Sequence, residues 1–242
     1  MNIYINELKK FNKLSNYWWD HNAKIYNALH ILNIIRLKFI SSNIILKNKK
    51  ILDIGCGGGI LTESLSKKGA KVTGIDICEK AIIIAKKHAK LSNLNIKYKK
   101  KSIENYKKNY RNKYDIITCM EIIEHIPNIN SLIKKCNYLL KNNGHIFLSS
   151  INKTTIAMIK TILIGEYIFK IIPINTHSYH KYIKIKFLLK KLKKNSLKIK
   201  NIKGIKYNHL SKKTKVTTDT SINYILHIIK SSPRGFEPLF PP

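Results

Sequence analysis

"ILDIGCGGGILTES", residues 51–64, holds four glycines within five positions, Gly55 and Gly57 to Gly59, in a chain that has only 10 among its 242 residues. An apolar run precedes the cluster and helix-forming residues follow it. A glycine turn between a strand and a helix brings backbone N–H groups and a helix N-terminus close to a ligand. Spacing then narrows the ligand. A dinucleotide fingerprint, G-x-G-x-x-G, counted from Gly55 needs its third glycine at position 60, which is Ile60. The pattern present is D-x-G-x-G-x-G: Asp53, Gly55, Gly57 and Gly59.

Around this turn, strand-like and helix-like segments alternate. "KKILDI" (49–54), "AKVTGIDI" (70–77), "NIKYKK" (95–100), "YDIITCM" (114–120) and "GHIFLSS" (144–150) read as strands. "ILTESLSKK" (60–68), "CEKAIIIAKKHAKLSN" (78–93) and "INSLIKKCNYLLK" (129–141) read as the helices between them, the first closed by Gly69. "KFLLKKLKK" (186–194) predicts a further helix, and "LKIKNIKGIKY" (197–207) and "INYILHIIK" (222–230) two closing strands. The expected fold is α/β and Rossmann-like, a mostly parallel seven-stranded sheet with helices on both faces. Residues 1–48, apolar at helical spacing, form an N-terminal helical cap on a domain at 49–230. An apolar insertion at about 153–182 interrupts the alternation, and a proline-rich tail, 231–242, follows. The insertion carries Lys160, Glu166, Lys170 and Pro173, too many interruptions for a comfortable bilayer span.

Two further residues complete a nucleoside site. Asp76 ends the second strand 21 residues after Gly55, where a carboxylate accepts both hydroxyls of a ribose. Met120 ends the fourth strand, where a flexible apolar side chain packs on an adenine face. Taken singly, the glycines also suit a tight corner and Asp76 a helix cap. In this order and spacing they match the glycine motif of class I S-adenosylmethionine methyltransferases.

The chain as a whole resembles one family, the ubiquinone biosynthesis O-methyltransferases, from about residue 15 to 230. The matching segments include "WWD" (18–20), "NIIRLKFI" (33–40), "YDIITCMEIIEHIPN" (114–128), "GEYIFKIIP" (165–173), "THSYHKYIK" (176–184) and "INYILH" (222–227). The resemblance implies S-adenosylmethionine as cofactor, held by Arg36, Gly55, Gly57, Asp76 and Met120. It also implies a polyprenyl hydroxyphenol or catechol as acceptor. An arginine at position 36 suits a methionine carboxylate, which it can pair bidentately; on an amphipathic helix it also suits solvent. The chain departs from the family pattern at "NNG" (142–144), where Pro-Gly-Gly is usual, and at Lys101, where an acid is usual beside the adenine. The tail "PRGFEPLFPP" matches nothing in the family.

Methyl transfer from a sulfonium is an in-line displacement, so the acceptor oxygen must be made nucleophilic. A phenol titrates near ~10, which calls for a base or a cation. If "EIIEH" opens a helical turn, Glu121, Glu124 and His125 share one face at i, i+3 and i+4. Such a set can hold a divalent ion that acidifies a catechol; the resemblance suggests Mg²⁺ or Zn²⁺. Alternatively, His125 lines the cleft as general base. His177, His180 and Lys181 are further acceptor-side candidates.

A net charge of +33 and scattered lysines fit either a biased composition or a polyanionic partner. An anionic membrane surface that presents the lipidic acceptor is the expected partner, with other quinone-pathway enzymes beside it, and nucleic acid is not expected. The charge keeps open a nucleic-acid methyltransferase, and composition drift keeps open a non-catalytic relic of the fold. No N-P-P-[YFW]-type motif follows the fourth strand. The four cysteines, Cys56, Cys78, Cys119 and Cys136, lack zinc-site spacing and predict reduced, mostly buried thiols. The N-terminus lacks a signal-length apolar run, so the expected location is cytoplasmic, peripheral on the inner face of a bacterial membrane.

Overall fold

A computed structural model describes residues 5–20, 22–106, 110–160, 179–208 and 213–231. Eight strands form one sheet in the order β3-β2-β1-β4-β5-β8-β6-β7. The strands are β1 (Lys50–Ile54), β2 (Lys71–Asp76), β3 (Lys97–Lys100), β4 (Tyr114–Met120), β5 (Leu140–Ile151), β6 (Leu197–Asn208), β7 (Lys213–Thr217) and β8 (Asn223–Lys230). The first five are mutually parallel, and β8 enters antiparallel between β5 and β6. The helices are α1 (Ile5–Leu14), α2 (Lys24–Asn43), α3 (Ile60–Lys67), α4 (Glu79–Leu91), α5 (Ile129–Leu139), the single turn α6 (Thr155–Met158) and α7 (Ile185–Lys194).

The two-residue period of a strand explains the two-sided core. Leu52, Ile54, Ile117, Ile146, Leu148 and Leu226 face one layer, built on α5 and α7. Their neighbours Ile51, Ile116, Phe147 and Ile225 face the other, with Ile35, Phe39 and Ile40 of α2 and Leu61 and Leu65 of α3. Short strands that read as continuous apolar runs are therefore buried on both faces. Strand order reverses between β1 and β4, and ligands of open α/β sheets bind outside the C-terminal strand ends at that reversal. The residues that follow β1 and β4 are the glycine turn and "EIIEH".

Two expectations change. The sheet has eight strands rather than seven, because β7 pairs with β6 as an antiparallel hairpin at the sheet edge. Backbone pairing, not an apolar face, makes "KTKVT" a strand. The helix expected over 129–141 stops at Leu139, since Leu140 already pairs with Tyr114 and extends β5 backwards. In the "NNG" turn, Asn143 takes the left-handed conformation at φ 57°, one that asparagine tolerates. Most of the apolar insertion, with His177, lies outside the described residues, as does the tail from 232. All four cysteines are free and buried.

A polar chain centred on the buried His227 crosses the β5–β8 pair. Asn43 donates its Nδ2 to the Phe39 carbonyl (2.7 Å), leaving Oδ1 to accept from His227 Nδ1 (3.1 Å). His227 Nε2 is then the acceptor for the proton on His145 Nδ1, 2.8 Å away. Phe147 stacks on the His227 ring at 4.6 Å. Burial first, and the nearby charge of His145 and Lys200 next, push His227 down from 6.5 to about 4. The unfolded chain therefore takes up this proton before the folded one. The stabilisation is complete above pH 6.5 and is lost as pH falls toward about 4. NMR titration is expected to find the His227 ring neutral at pH 6, and His227→Gln to remove part of the acid loss of Tm. A ring titrating near 6.5 would mean that the chain of hydrogen bonds is not formed.

Candidate active site

The glycine turn is built from both sides. Behind it, the N–H groups of Gly55 and Cys56 both bond the carbonyl of Ile75 in β2 (2.9 and 3.1 Å), which fixes the exit from β1. At its centre the Gly57 N–H donates to Asp76 Oδ2 (2.9 Å), and the Cys78 N–H donates to Oδ1 of the same carboxylate (2.7 Å). Burial pushes the Asp76 carboxyl up, and the hydrogen bonds from Cys78 and Gly57 oppose it. Gly59 caps α3 at φ 91°, and Gly57 stands at φ 52°, both costly for any other residue.

Above the turn lies the tryptophan pair. A Cβ on Gly57 would come within 2.3 Å of the Trp18 ring, and one on Gly58 within 2.4 Å. Glycine is thus required here by an approaching side chain as well as by φ. Trp19 donates its Nε1–H to the Gly58 carbonyl (2.8 Å) and stacks flat on His88 at 3.4 Å. His88 Nδ1 in turn bonds the buried Glu63 carboxylate (2.7 Å). The chain's two tryptophans therefore both report on this turn.

Below the turn, Asp53 is buried with both oxygens used, by Thr62 and Thr118 hydroxyls at 2.6 Å each. Burial still pushes its carboxyl up to about 6. Asp53 ties β1, α3 and β4 together at the strand ends.

One cavity of about 420 Å³ joins these features. Arg36, Gly55, Gly57, Asp76 and Met120 line it, and so do Glu121, Glu124 and His125. Lys101 also lines it, and its ammonium lies 4.6 Å from the Tyr106 ring centre, a cation–π contact rather than the carboxylate contact of the family pattern. His180 falls in the turn Tyr179–Lys181 and, like Lys181, is absent from the cavity wall.

"EIIEH" does not form the helical turn that its spacing suggests. Glu121 has φ 50°, and a 3₁₀ turn runs over Ile123–His125. The backbone reversal at Glu121 sends its carboxylate toward α2 and β5, where Oε1 accepts from Arg36 Nη2 (3.1 Å) and from Ser149 Oγ (2.7 Å). Glu124 is buried and accepts from Ser150 Oγ (2.9 Å). Burial, and next the adjoining Glu121 charge, hold the Glu124 carboxyl well above the usual range. His125 packs edge-on against Phe11 of α1 at 5.1 Å. Among the described residues, no three His, Cys, Asp or Glu side chains are placed to hold an ion. The glutamates meet, and the histidine does not complete a set of three. A carboxylate pair fits Mg²⁺, which keeps several waters and takes one or two carboxylates, better than Zn²⁺, which wants three or four protein ligands.

Residues 32–197 match a family described as a methyltransferase domain. The ubiquinone biosynthesis O-methyltransferase of Pelagibacter ubique (strain HTCC1062) is 44% identical over 236 residues, which cover 93% of this chain and 97% of that protein. Proteins of the same name from Coxiella burnetii (strain RSA 331 / Henzerling II) and Glaesserella parasuis serovar 5 (strain SH0165) are 42% and 41% identical, again over 93% of this chain, and over 95% and 97% of their own. The chain belongs to the ubiquinone biosynthesis O-methyltransferase family. Among solved structures, magnesium protoporphyrin IX methyltransferase from Synechocystis PCC 6803, with bound S-adenosylhomocysteine, shares the fold. Its TM-score is 0.67 at 18% identity, over 92% of this chain and 94% of that one. The cyclase SpnF shares it less closely, with a TM-score of 0.60 at 13% identity over 81% of each chain.

The role of the tryptophans is what sequence reasoning missed. "WWD" stood out only as a resemblance, although two adjacent tryptophans in a chain with no others mark a local packing demand.

Two substitutions test the turn. Asp76→Ala leaves the Gly57 and Cys78 N–H groups without their acceptor, at ~1–3 kcal/mol each. Its affinity for S-adenosylhomocysteine is expected to fall by about tenfold or more in calorimetric titration. Gly57→Ala drives a methyl group into Trp18 and is expected to weaken binding comparably and to shift tryptophan emission. Unchanged affinity in both variants would remove the turn from the site.

Proposed function

We propose that this chain moves the methyl group of S-adenosylmethionine to a phenolic oxygen of a polyprenyl hydroxyphenol or catechol during ubiquinone biosynthesis. The observation that carries this reading is the single cavity lined both by the glycine turn with Asp76 and by Glu121, Glu124 and His125. Near-full-length identity of 41–44% to relatives of that name supports the pathway.

In this reading the donor's ribose engages Asp76, and its adenine packs by Met120. Arg36 takes the methionine carboxylate. Positioning two reactants in line contributes up to ~7–11 kcal/mol in the best-oriented cases. The acceptor hydroxyl lies toward "EIIEH". His125, whose ring packs edge-on against Phe11 and lines the cavity, is the base that takes the phenolic proton. Glu121 and Glu124 are the residues that would hold Mg²⁺. The ion's contribution is to lower the pKa of catechol oxygens. The lipidic acceptor is met at a membrane surface: the +33 charge suits anionic lipid, and the apolar, lysine-bearing sequence at 153–182 suits an interface. No helix among the described residues is long and apolar enough to cross a membrane. A cytoplasmic, peripheral location and contact with other quinone-pathway enzymes accord with that acceptor.

Purified protein given labelled S-adenosylmethionine and a short-tailed prenyl catechol is expected to produce the methyl ether. Labelling of bulk tRNA or DNA instead of the catechol would overturn the proposal, and so would cofactor binding without transfer to any of them. Glu124→Gln and His125→Gln are each expected to lower turnover by ~10²–10⁴-fold. Both are expected to leave affinity for S-adenosylhomocysteine within about twofold, a gap of about a third of the ~1.4 kcal/mol decade. Full activity in excess chelator would remove the ion from the account and leave His125 as base.

A further inference from the structure

We infer that Asn33 binds the α-ammonium group of the methyl donor, completing with Arg36 a grip on both charges of its amino-acid end. The inference rests on the donor assignment above and on two buried atoms that the protein leaves without partners.

Asn33 and Arg36 stand three residues apart on α2 and share one face of it. Both are more than nine-tenths buried, and both line the cavity. The orientation of the Asn33 amide follows from its neighbour. Ser64 Oγ donates its proton to the Ile60 carbonyl (2.9 Å), so it can only accept from Asn33, 2.8 Å away. Asn33 therefore turns its NH₂ toward α3, and its Oδ1 is the atom left over. That Oδ1 is buried and has no hydrogen-bond partner in the protein. Arg36 commits Nη2 to Glu121 (3.1 Å), and its buried Nε–H likewise has no protein partner.

Buried polar groups are almost always satisfied, so an orphaned acceptor and an orphaned donor one turn apart on a cavity wall call for a ligand with the opposite pair. An α-amino acid carries such a pair on one carbon: a carboxylate that accepts and an ammonium that donates three times. Arg36 Nε suits the carboxylate, and Asn33 Oδ1 suits the ammonium. The acids nearby are already engaged. Glu121 Oε1 takes both Arg36 and Ser149, and Glu124 is held by Ser150 and by Glu121. A neutral acceptor also leaves the Arg36–Glu121 ion pair undisturbed, where a third carboxylate would compete for the guanidinium.

The test compares four ligands by quenching of Trp18 and Trp19: S-adenosylhomocysteine, its deaminated analogue S-adenosyl-4-thiobutyrate, its decarboxylated analogue S-adenosyl-3-thiopropylamine, and 5′-methylthioadenosine, which lacks both charges. The wild-type protein is expected to prefer S-adenosylhomocysteine over the deaminated analogue by about tenfold or more, the scale of one charge-assisted hydrogen bond. Asn33→Leu is expected to reduce that preference to within about twofold, to keep the preference over the decarboxylated analogue, and to bind 5′-methylthioadenosine as before. Arg36→Gln is expected to do the reverse. Asn33→Asp, which keeps an acceptor, is expected to retain the preference for the amino group, and this variant decides the matter if Asn33→Leu fails to bind 5′-methylthioadenosine. A preference that survives in Asn33→Leu, one lost in Asn33→Asp, or one abolished by Glu121→Gln instead, would overturn the inference. Failure of all four ligands to bind the wild type would strike the donor assignment itself.

Discussion

The structure depends on how a turn made of four glycines is kept open and in one place. Glycine brings backbone N–H groups to a ligand, but it also gives the chain the most freedom to lose on folding. Three restraints offset that freedom. The Ile75 carbonyl holds the turn's first two N–H groups, Asp76 holds the third, and the Trp18 ring leaves no volume for the turn to rise. Remove the carboxylate and two N–H groups lose their acceptor; add a methyl group and the ring must leave. Site and fold are therefore the same problem at this point, because Asp53, two residues before Gly55, ties β1 to α3 and β4 through two threonine hydroxyls.

The parallel half of the sheet was legible because β1, β2, β4 and β5 carry short apolar runs flanked by turn residues, and β3, KYKK, shows only alternation about the buried Tyr98. The antiparallel half was less so. β7 has lysine at two of its five positions, and its partner β6 alternates lysine with isoleucine. Such a hairpin is specified by backbone pairing at an edge, a weak signal in a lysine-rich composition. The end of α5 was misjudged for a related reason: Leu139 and Leu140 continue a helical apolar period, and only the pairing of Leu140 with Tyr114 shows that the chain has already become a strand.

At the site, the residues were legible and their arrangement was not. Asp76, Met120 and the glutamates follow strands whose ends are fixed by pattern. The conformation of Glu121 is not a matter of pattern: a left-handed glutamate has no sequence signature, and among the described residues the expected three-residue face does not form an ion-holding set. The tryptophan lid and the Asn33–Ser64 contact join residues roughly thirty to forty positions apart, a separation over which no periodicity in a single sequence carries information.

Charge is the remaining thread, and its distribution argues against reading the composition alone. The chain has 13 acidic and 46 basic residues, yet among the described residues five acids line the cavity, Asp53, Asp76, Glu104, Glu121 and Glu124, against two of the lysines and arginines, Arg36 and Lys101. The cavity is thus an acidic lining inside a strongly cationic protein, with more acidic than basic side chains even when Glu124, whose carboxyl burial holds well above the usual range, is left out. A sulfonium donor carries one more positive charge than the thioether left after transfer. Field lines focused in a low-dielectric cleft act on that difference, so the lining attracts the charged donor more than its product and weakens its hold as the methyl group leaves. The surrounding lysines act at longer range and are screened within about 8 Å at physiological salt. Surface charge and cavity charge can therefore differ in sign without cancelling, and it is the cavity charge that meets a cationic cofactor.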